Sequence, residues 1–443
     1  MPISDLPPEL WLRIIESFCS HCNGEECVFR LHKTDLTDIA RLCLVSKNLN
    51  HMATPILYHV PNSRKPSRLL RTLAAHPELA RHVQELHPSL WTFDWPELDH
   101  VDNYPPSLME DFERRLVYAR EHLSEDVGDW DLESTVDDHI LDAALIALLP
   151  NLTRISILSH YRSVCFGFEP SSLPNLRSVS IAHGDTESFL APRCLKPLAD
   201  AAPNIASLHL DMFGADSHEV GQDAFPVFPN VTSLMMERSL VTAPSWPFLL
   251  QAFPRLETMA FGGTWPSEYI DEDGYALDIQ NAVALHCPHL RKLCVDYSDI
   301  EFMDDLDETD RTFDHGLASL KELEYLITDS KRIGNPVAED GLGDVSGICI
   351  DALPASLRGL RILDEADYDP SDLGLALIDL AAKVSGRLPF LEKISIVRGK
   401  GSYELDDELR SAWDGTGVEL TLDVTGTPEL GVRDRTRQEW HWP

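Results

Sequence analysis

A chain of 443 residues with 37 Lys/Arg against 73 Asp/Glu carries a formal net charge of −36. Such a field repels nucleic acid and anionic membrane, so neither is expected as a partner, and it speeds encounter with basic proteins. Its hydrophobic content of 43% allows a sizeable core, while no run approaches the roughly 20 apolar residues a membrane span requires. Nine scattered cysteines share no secreted-domain spacing, so a reducing compartment, cytoplasm or nucleus, is expected. Asp5, Glu9 and Glu16 interrupt the N-terminal stretch, which does not read as a signal peptide. The acidity is uneven: residues 1–90 hold ten Lys/Arg and nine Asp/Glu, leaving 27 basic and 64 acidic side chains to the other 353.

The first element is Leu6-Pro7-Pro8-Glu9-Leu10-Trp11-Leu12-Arg13-Ile14-Ile15-Glu16-Ser17-Phe18. Proline suits a first helical turn, where its missing N–H is not needed, and Glu9 favours the positive end of the helix dipole. Leu10, Trp11, Leu12, Ile14, Ile15 and Phe18 cover more of the circumference than the single stripe of a surface helix, so part of this face is expected to dock onto another protein. Thr34 or Asp35 can cap a second helix running to about Cys43, and Ser46 a third ending before Pro55.

Leu6-Pro7-x-Glu9-Leu10, then Ile14 or Ile15, then Phe18, resembles the opening helix of an F-box. Ile39-Ala40-Arg41-Leu42-Cys43-Leu44-Val45-Ser46-Lys47-Asn48-Leu49 and Pro55-Ile56-Leu57-Tyr58 resemble its second half as found in fungal F-box proteins. The stretch from Cys19 to Asp35 is longer than the usual link between the first two helices of that motif. Residues 1–60 are therefore read as an F-box.

Residues 61–140 read as a helical connector and insertion. Leu69-Leu70-x-x-Leu73 and Leu79-x-x-x-Val83 keep helical spacing, and one helix is expected near Ser107–Leu123.

Residues 141–430 carry an internal repeat, Pro-x-Leu-x-x-Leu-x-Leu. It opens at Pro150, Pro174, Pro203, Pro229, Pro254 and Pro288, weakens at Leu323 and Leu357, and is clear again at Pro389. Proline ends the preceding helix, one apolar residue plugs the turn, and the alternation that follows makes a short strand. One strand and one helix cannot close a core alone, so neighbours must stack. The pattern resembles an irregular leucine-rich-repeat solenoid, an α/β fold with parallel strands on the concave face and helices on the convex one. The asparagine usual after the strand in that family is missing, so irregular curvature is expected. Glu419–Val424 can add a last strand, and residues 431–443 read as a tail.

If the apolar residues of each phrase point inward, the intervening residues line the concave sheet. His209, Asp211, Met235, Glu237, Cys294, Asp296, Ile327 and Asp329 then form a partly apolar, acidic strip, expected to hold a basic segment of a protein target. Cys19-Ser20-His21-Cys22 with Cys27 and His32 offers zinc-type ligands, but without two well-spaced pairs it reads as a linker with incidental thiols, and no metal or other cofactor is expected. No nucleophile elbow, phosphate loop or dinucleotide glycine pattern is present in the sequence, so the chain is not expected to be an enzyme.

The resemblance implies a substrate adaptor of an SCF-type ubiquitin ligase. In that role Leu6, Pro7, Leu10, Ile14, Ile15, Phe18, Leu42, Leu44 and Val45 would bind a Skp-family linker, and through it the cullin–RING core, while the solenoid binds the target. An F-box and repeat protein acting outside ubiquitin transfer is the alternative reading.

Overall fold

The computed structural model describes residues 6–19, 21–22, 36–61, 66–87, 106, 109–110, 114, 143–159, 168–183, 189–215, 225–263, 279–296, 316–329, 350–364, 370–398 and 407–424. The chain divides into two compact units, Met1–Leu208 and His209–Pro443.

The first unit opens with three helices, α1 (Pro8–Glu16), α2 (Thr37–Val45) and α3 (Lys47–Leu57). Pro8 takes the first helical position, and Glu9 sits in the first turn. Ser46 caps α3, its Oγ accepting from the Leu49 N–H at 3.2 Å. Contrary to expectation, α3 runs through Pro55 to Leu57. Pro55 stands in the last turn, where the Tyr58 N–H still finds the Thr54 and Pro55 carbonyls, so the ring disturbs only a helix end that was about to stop. The helices close on a small core of Ile15, Cys19, Ile39, Ala53 and Ile56, flanked by half-buried Leu36, Leu42, Leu49 and Met52.

Two further helices, α4 (Pro66–Ala75) and α5 (Pro77–Ala80), follow. Leu69, Leu70 and Leu73 are buried on α4, as their helical spacing implied. The helical spacing read in Leu79-x-x-x-Val83 does not hold: α5 stops at Ala80, and buried Val83 lies beyond it on the way into the next strand. The two-residue strand β1 (Glu85–Leu86) comes next and was not foreseen. It pairs in parallel with β2 (Arg154–Ser159), which pairs in parallel with β3 (Ser178–His183). The helix expected near Ser107–Leu123 lies almost wholly outside the described residues.

The strand β4 (Ser207–Asp211) contains the division between the units. In the second unit β5 (Gly214–Ala215) pairs with β6 (Ser233–Val241). After β6 come β7 (Thr258–Gly263), β8 (Lys292–Asp296), β9 (Tyr325–Asp329), β10 (Gly359–Asp364), β11 (Lys393–Arg398) and β12 (Glu419–Val424). All pair with their sequence neighbours in parallel. Parallel neighbours need a crossover, and several are helical, from Trp246–Gln251 and Ile279–His286 to Pro370–Arg387 and Asp407–Trp413. This is a mixed α/β, repeat-like architecture with one strand at each phrase.

Register follows the phrase. Leu234 faces Met259, which faces Leu293, then Leu326, Leu360, Ile394 and Leu420 in turn. At the strand entrances two successive N–H groups share one carbonyl of the preceding phrase. Arg177 and Ser178 donate to the Thr153 oxygen, and Arg291 and Lys292 to that of Glu257. In the first unit the asparagine of Pro-Asn extends this stitching. Asn175 Nδ2 donates to the Pro150 carbonyl at 2.8 Å and Asn204 Nδ2 to that of Pro174 at 2.9 Å. The second unit uses ion pairs at similar places, Arg291–Glu324 at 2.8 Å and Arg358–Glu392 at 2.6 Å.

Candidate functional site

The α1 residues split by helical angle. Ile15 is fully buried with Cys19 behind it, whereas Leu10, Ile14 and Phe18 form a stripe at four-residue spacing, 46%, 40% and 47% exposed. Leu44 and Val45, at the end of α2, stand 86% and 68% exposed. Among the described residues, six of the ten exposed large apolar side chains, Leu12 included, lie in these first 45 positions. Leu6 and Leu42 are half-buried and Pro7 is exposed. One residue of the expected docking set is corrected: Ile15 belongs to the helical core, because a 100° step turns it away from Ile14.

The expected concave strip is also corrected, because it is not accessible. His209, Asp211, Met235, Glu237, Cys294, Asp296, Ile327 and Asp329 are all buried. Met235, Ala260, Cys294, Ile327, Leu363 and Val397 form an apolar cluster of their own, with Tyr325 against it. A parallel sheet is commonly covered on both faces, and the run of Met, Ala, Cys and Ile along one row was the sequence sign of it.

Two acids of this row, Glu237 and Asp211, are held internally. Glu237 Oε2 lies 2.7 Å from His209 Nε2. Asp211 receives Arg238 through two hydrogen bonds, Nε at 2.8 Å and Nη2 at 2.7 Å. These bonds hold the Arg238 guanidinium's pKa above its ordinary value, against the opposing effect of burial. Arg238 reaches Asp211 because β6 breaks register between Met236 and Ser239 and the Arg238 backbone turns left-handed, φ 45°. In the first unit buried Glu85 meets Arg154 Nη1 at 3.0 Å and His87 Nε2 at 3.4 Å. Burial alone would raise its pKa, but the neighbouring His87 and the Arg154 charge outweigh that and leave it lowered.

A third cluster gathers Cys19, His21, Cys22 and His59, whose ligand-type atoms all lie within 4.8 Å of one another. Burial, with the neighbouring Cys19, pushes the Cys22 thiol up to about 12. Burial, with His21 and His82 nearby, brings His59 down to about 4. The sequence suggested Cys27 and His32 as companions of the two cysteines, and both lie outside the described residues. His59 was missed, because nothing local marks a histidine 37 positions away as a neighbour of Cys22.

No protein-family model matches this chain, and no curated protein matches it. Among solved structures it is similar to a chain in the Rad7 and Elc1 complex in yeast, at 14% identity, covering 71% of this chain and 82% of that one with a TM-score of 0.31. So distant a likeness carries no argument here. The α/β class rests on the strands, the helices and their register.

Proposed function

We propose that this chain is the substrate-recognition adaptor of an SCF-type cullin–RING ubiquitin ligase. The observation that carries the reading is the crowding of exposed apolar side chains on α1 and at the end of α2, beside a core too small to use them. Large exposed apolar patches rimmed by polar residues mark protein contact sites. The sequence of these helices resembles an F-box, whose partner is a Skp-family linker. In this reading residues 1–60 dock, 61–140 connect, 141–430 carry the target, and the chain does no chemistry, working in the cytoplasm or nucleus. Leu10, Ile14, Phe18, Leu44 and Val45 are the anchors, with Leu6, Pro7 and Leu42 at their margin, since a few apolar anchors hold most of an interface's energy. The target is brought beside charged enzyme, and the gain is one of effective concentration.

The test is co-expression of the full chain with a Skp-family protein, followed by size exclusion. A one-to-one complex is expected, and the Leu10→Asp, Ile14→Asp double variant should lose it while its circular dichroism stays that of the parent. Folded parent protein that gives no complex would overturn the reading.

A further inference from the structure

We propose that Cys19, His21, Cys22 and His59 together bind one Zn²⁺ as a structural site. The four side chains converge from two segments. The chain turns tightly after α1, with the Cys19 N–H donating to the Glu16 carbonyl at 2.9 Å, which places Cys19 inward and brings His21 and Cys22 round beside it. His59 follows the end of α3, and its carbonyl accepts from the N–H groups of both Gln84 and Glu85, each at 3.0 Å, so its position is fixed by backbone.

Distances among the donors suit one small cation. Cys22 Sγ lies 3.3 Å from His59 Nδ1 and 3.8 Å from His21 Nδ1, and Cys19 Sγ lies 4.0 Å from His59 Nδ1. With Zn–S near 2.3 Å and Zn–N near 2.05 Å, a tetrahedron has S···N edges of about 3.6 Å and an S···S edge of about 3.8 Å. The two imidazole rings stand nearly perpendicular, 78° apart with centroids at 5.3 Å, and all four donor atoms lie within 4.8 Å of one another. Two sulfurs and two imidazole nitrogens form a donor set that selects zinc over the oxygen-seeking Mg²⁺ and Ca²⁺.

Charge favours the same occupant. On binding, both thiols give up their protons to solvent, and two thiolates with two neutral imidazoles balance the divalent ion. The carboxylates of Glu16 and Glu85 act on Cys22 through space and add negative potential there. A bound ion would fasten the segment after α1 to the end of α3 and add to the stability of the folded chain.

The experiment measures zinc on the full chain, purified under reducing conditions without chelator. About one zinc per chain is expected by elemental analysis. Replacement by Co²⁺ should give visible d–d absorption with a thiolate charge-transfer band, the mark of tetrahedral sulfur ligation. Cys22→Ala, at an exposed position, should reduce zinc to near zero, whereas Cys27→Ala and His32→Ala should leave it unchanged. Should the Cys22 variant fail to fold, the Co²⁺ spectrum of the parent decides alone. Folded parent protein with no zinc and no Co²⁺ band would overturn the site. So would a Cys19–Cys22 disulfide found by mass under native conditions, or zinc lost with Cys27 but kept without Cys22.

Discussion

Ile14 and Ile15 are the same side chain at adjacent positions, and the structure gives them opposite surroundings, one exposed and one buried. Ile15 is fully buried among Cys19, Ile39, Ala53 and Ile56. Truncating a buried isoleucine to alanine costs about 2–5 kcal/mol, and a core this small can partly close over the gap, so about 3 kcal/mol is expected. Ile14 is 40% exposed, so Ile14→Ala removes only part of a buried side chain's transfer energy, about 1 kcal/mol or less. Against a Skp-family partner the order should reverse. An interface anchor is worth about 1–2 kcal/mol or more, so Ile14→Ala should weaken binding by about tenfold or more. Hydrogen exchange at the α1 amides of the full chain reads local stability, and titration calorimetry with the Skp-family protein reads affinity. Ile15→Ala should speed exchange by far more than Ile14→Ala. Equal acceleration by both variants, or an Ile14→Ala chain that binds as tightly as the parent, would refute the division of labour within α1.

Four further outcomes follow from the buried charges. Arg238→Ala strands Asp211, which is fully buried, and loss of one partner of such a pair costs about 3–5 kcal/mol. With Arg238 itself 29% exposed the low end is expected, read as a shift in the denaturation midpoint of the second unit. Arg238→Gly loses the same pair but relieves a left-handed backbone, so it should be about 1 kcal/mol less damaging than the alanine. Asp211→Lys should lower the soluble yield of the chain and not merely weaken target binding, because the lysine would meet Arg238 in a buried place. Glu85 has a lowered pKa when folded. Its stabilisation is therefore fully present above the ordinary carboxylate pKa of about 4.3 and lost as the pH falls through the folded value. Thermal melts of the parent should show this loss on acidification, and Glu85→Gln should flatten that part of the profile.

The repeat strands were legible because the phrase states its own geometry. A proline that ends a helix, a plug, then alternate apolar residues fits only a short strand after a turn. β2 to β4, β6 to β8 and β11 lie on such stretches, β9 and β10 on the weaker phrases, and β12 on an alternation without the proline. β1 was not legible, since two residues, Glu85 and Leu86, carry no period, and their pairing with Arg154 and Ile155 is made far along the chain. The exposed apolar face of α1 was half legible. Composition marked α1 as too apolar, but only the packing of Ile39, Ala53 and Ile56 decides that Ile15 turns inward and Ile14 outward. The concave strip failed on a rule borrowed from the resemblance: alternation says which residues share a face, not whether that face is covered. Arg238 could not have been foreseen, because a bulge in β6 re-aims it, and a bulge leaves no mark in a list of side chains.

The constancy of register has a consequence for how such a chain can change over time. Leading residues of successive phrases stand as few as 24 and as many as 34 positions apart, yet paired strands start in register, as in Ile155 to Val179 and Leu293 to Leu326. The bulge in β6 between Met236 and Ser239 is a departure within a strand. Length is absorbed mainly between strands, the β6 bulge being a small exception within the ladder. An insertion or deletion in a connection therefore leaves every pairing as it was, and loop-closure entropy grows only slowly with length. The lineage of this chain could try new connecting segments one at a time on an unchanged frame, so that inheritance of the scaffold and invention in its loops proceed separately.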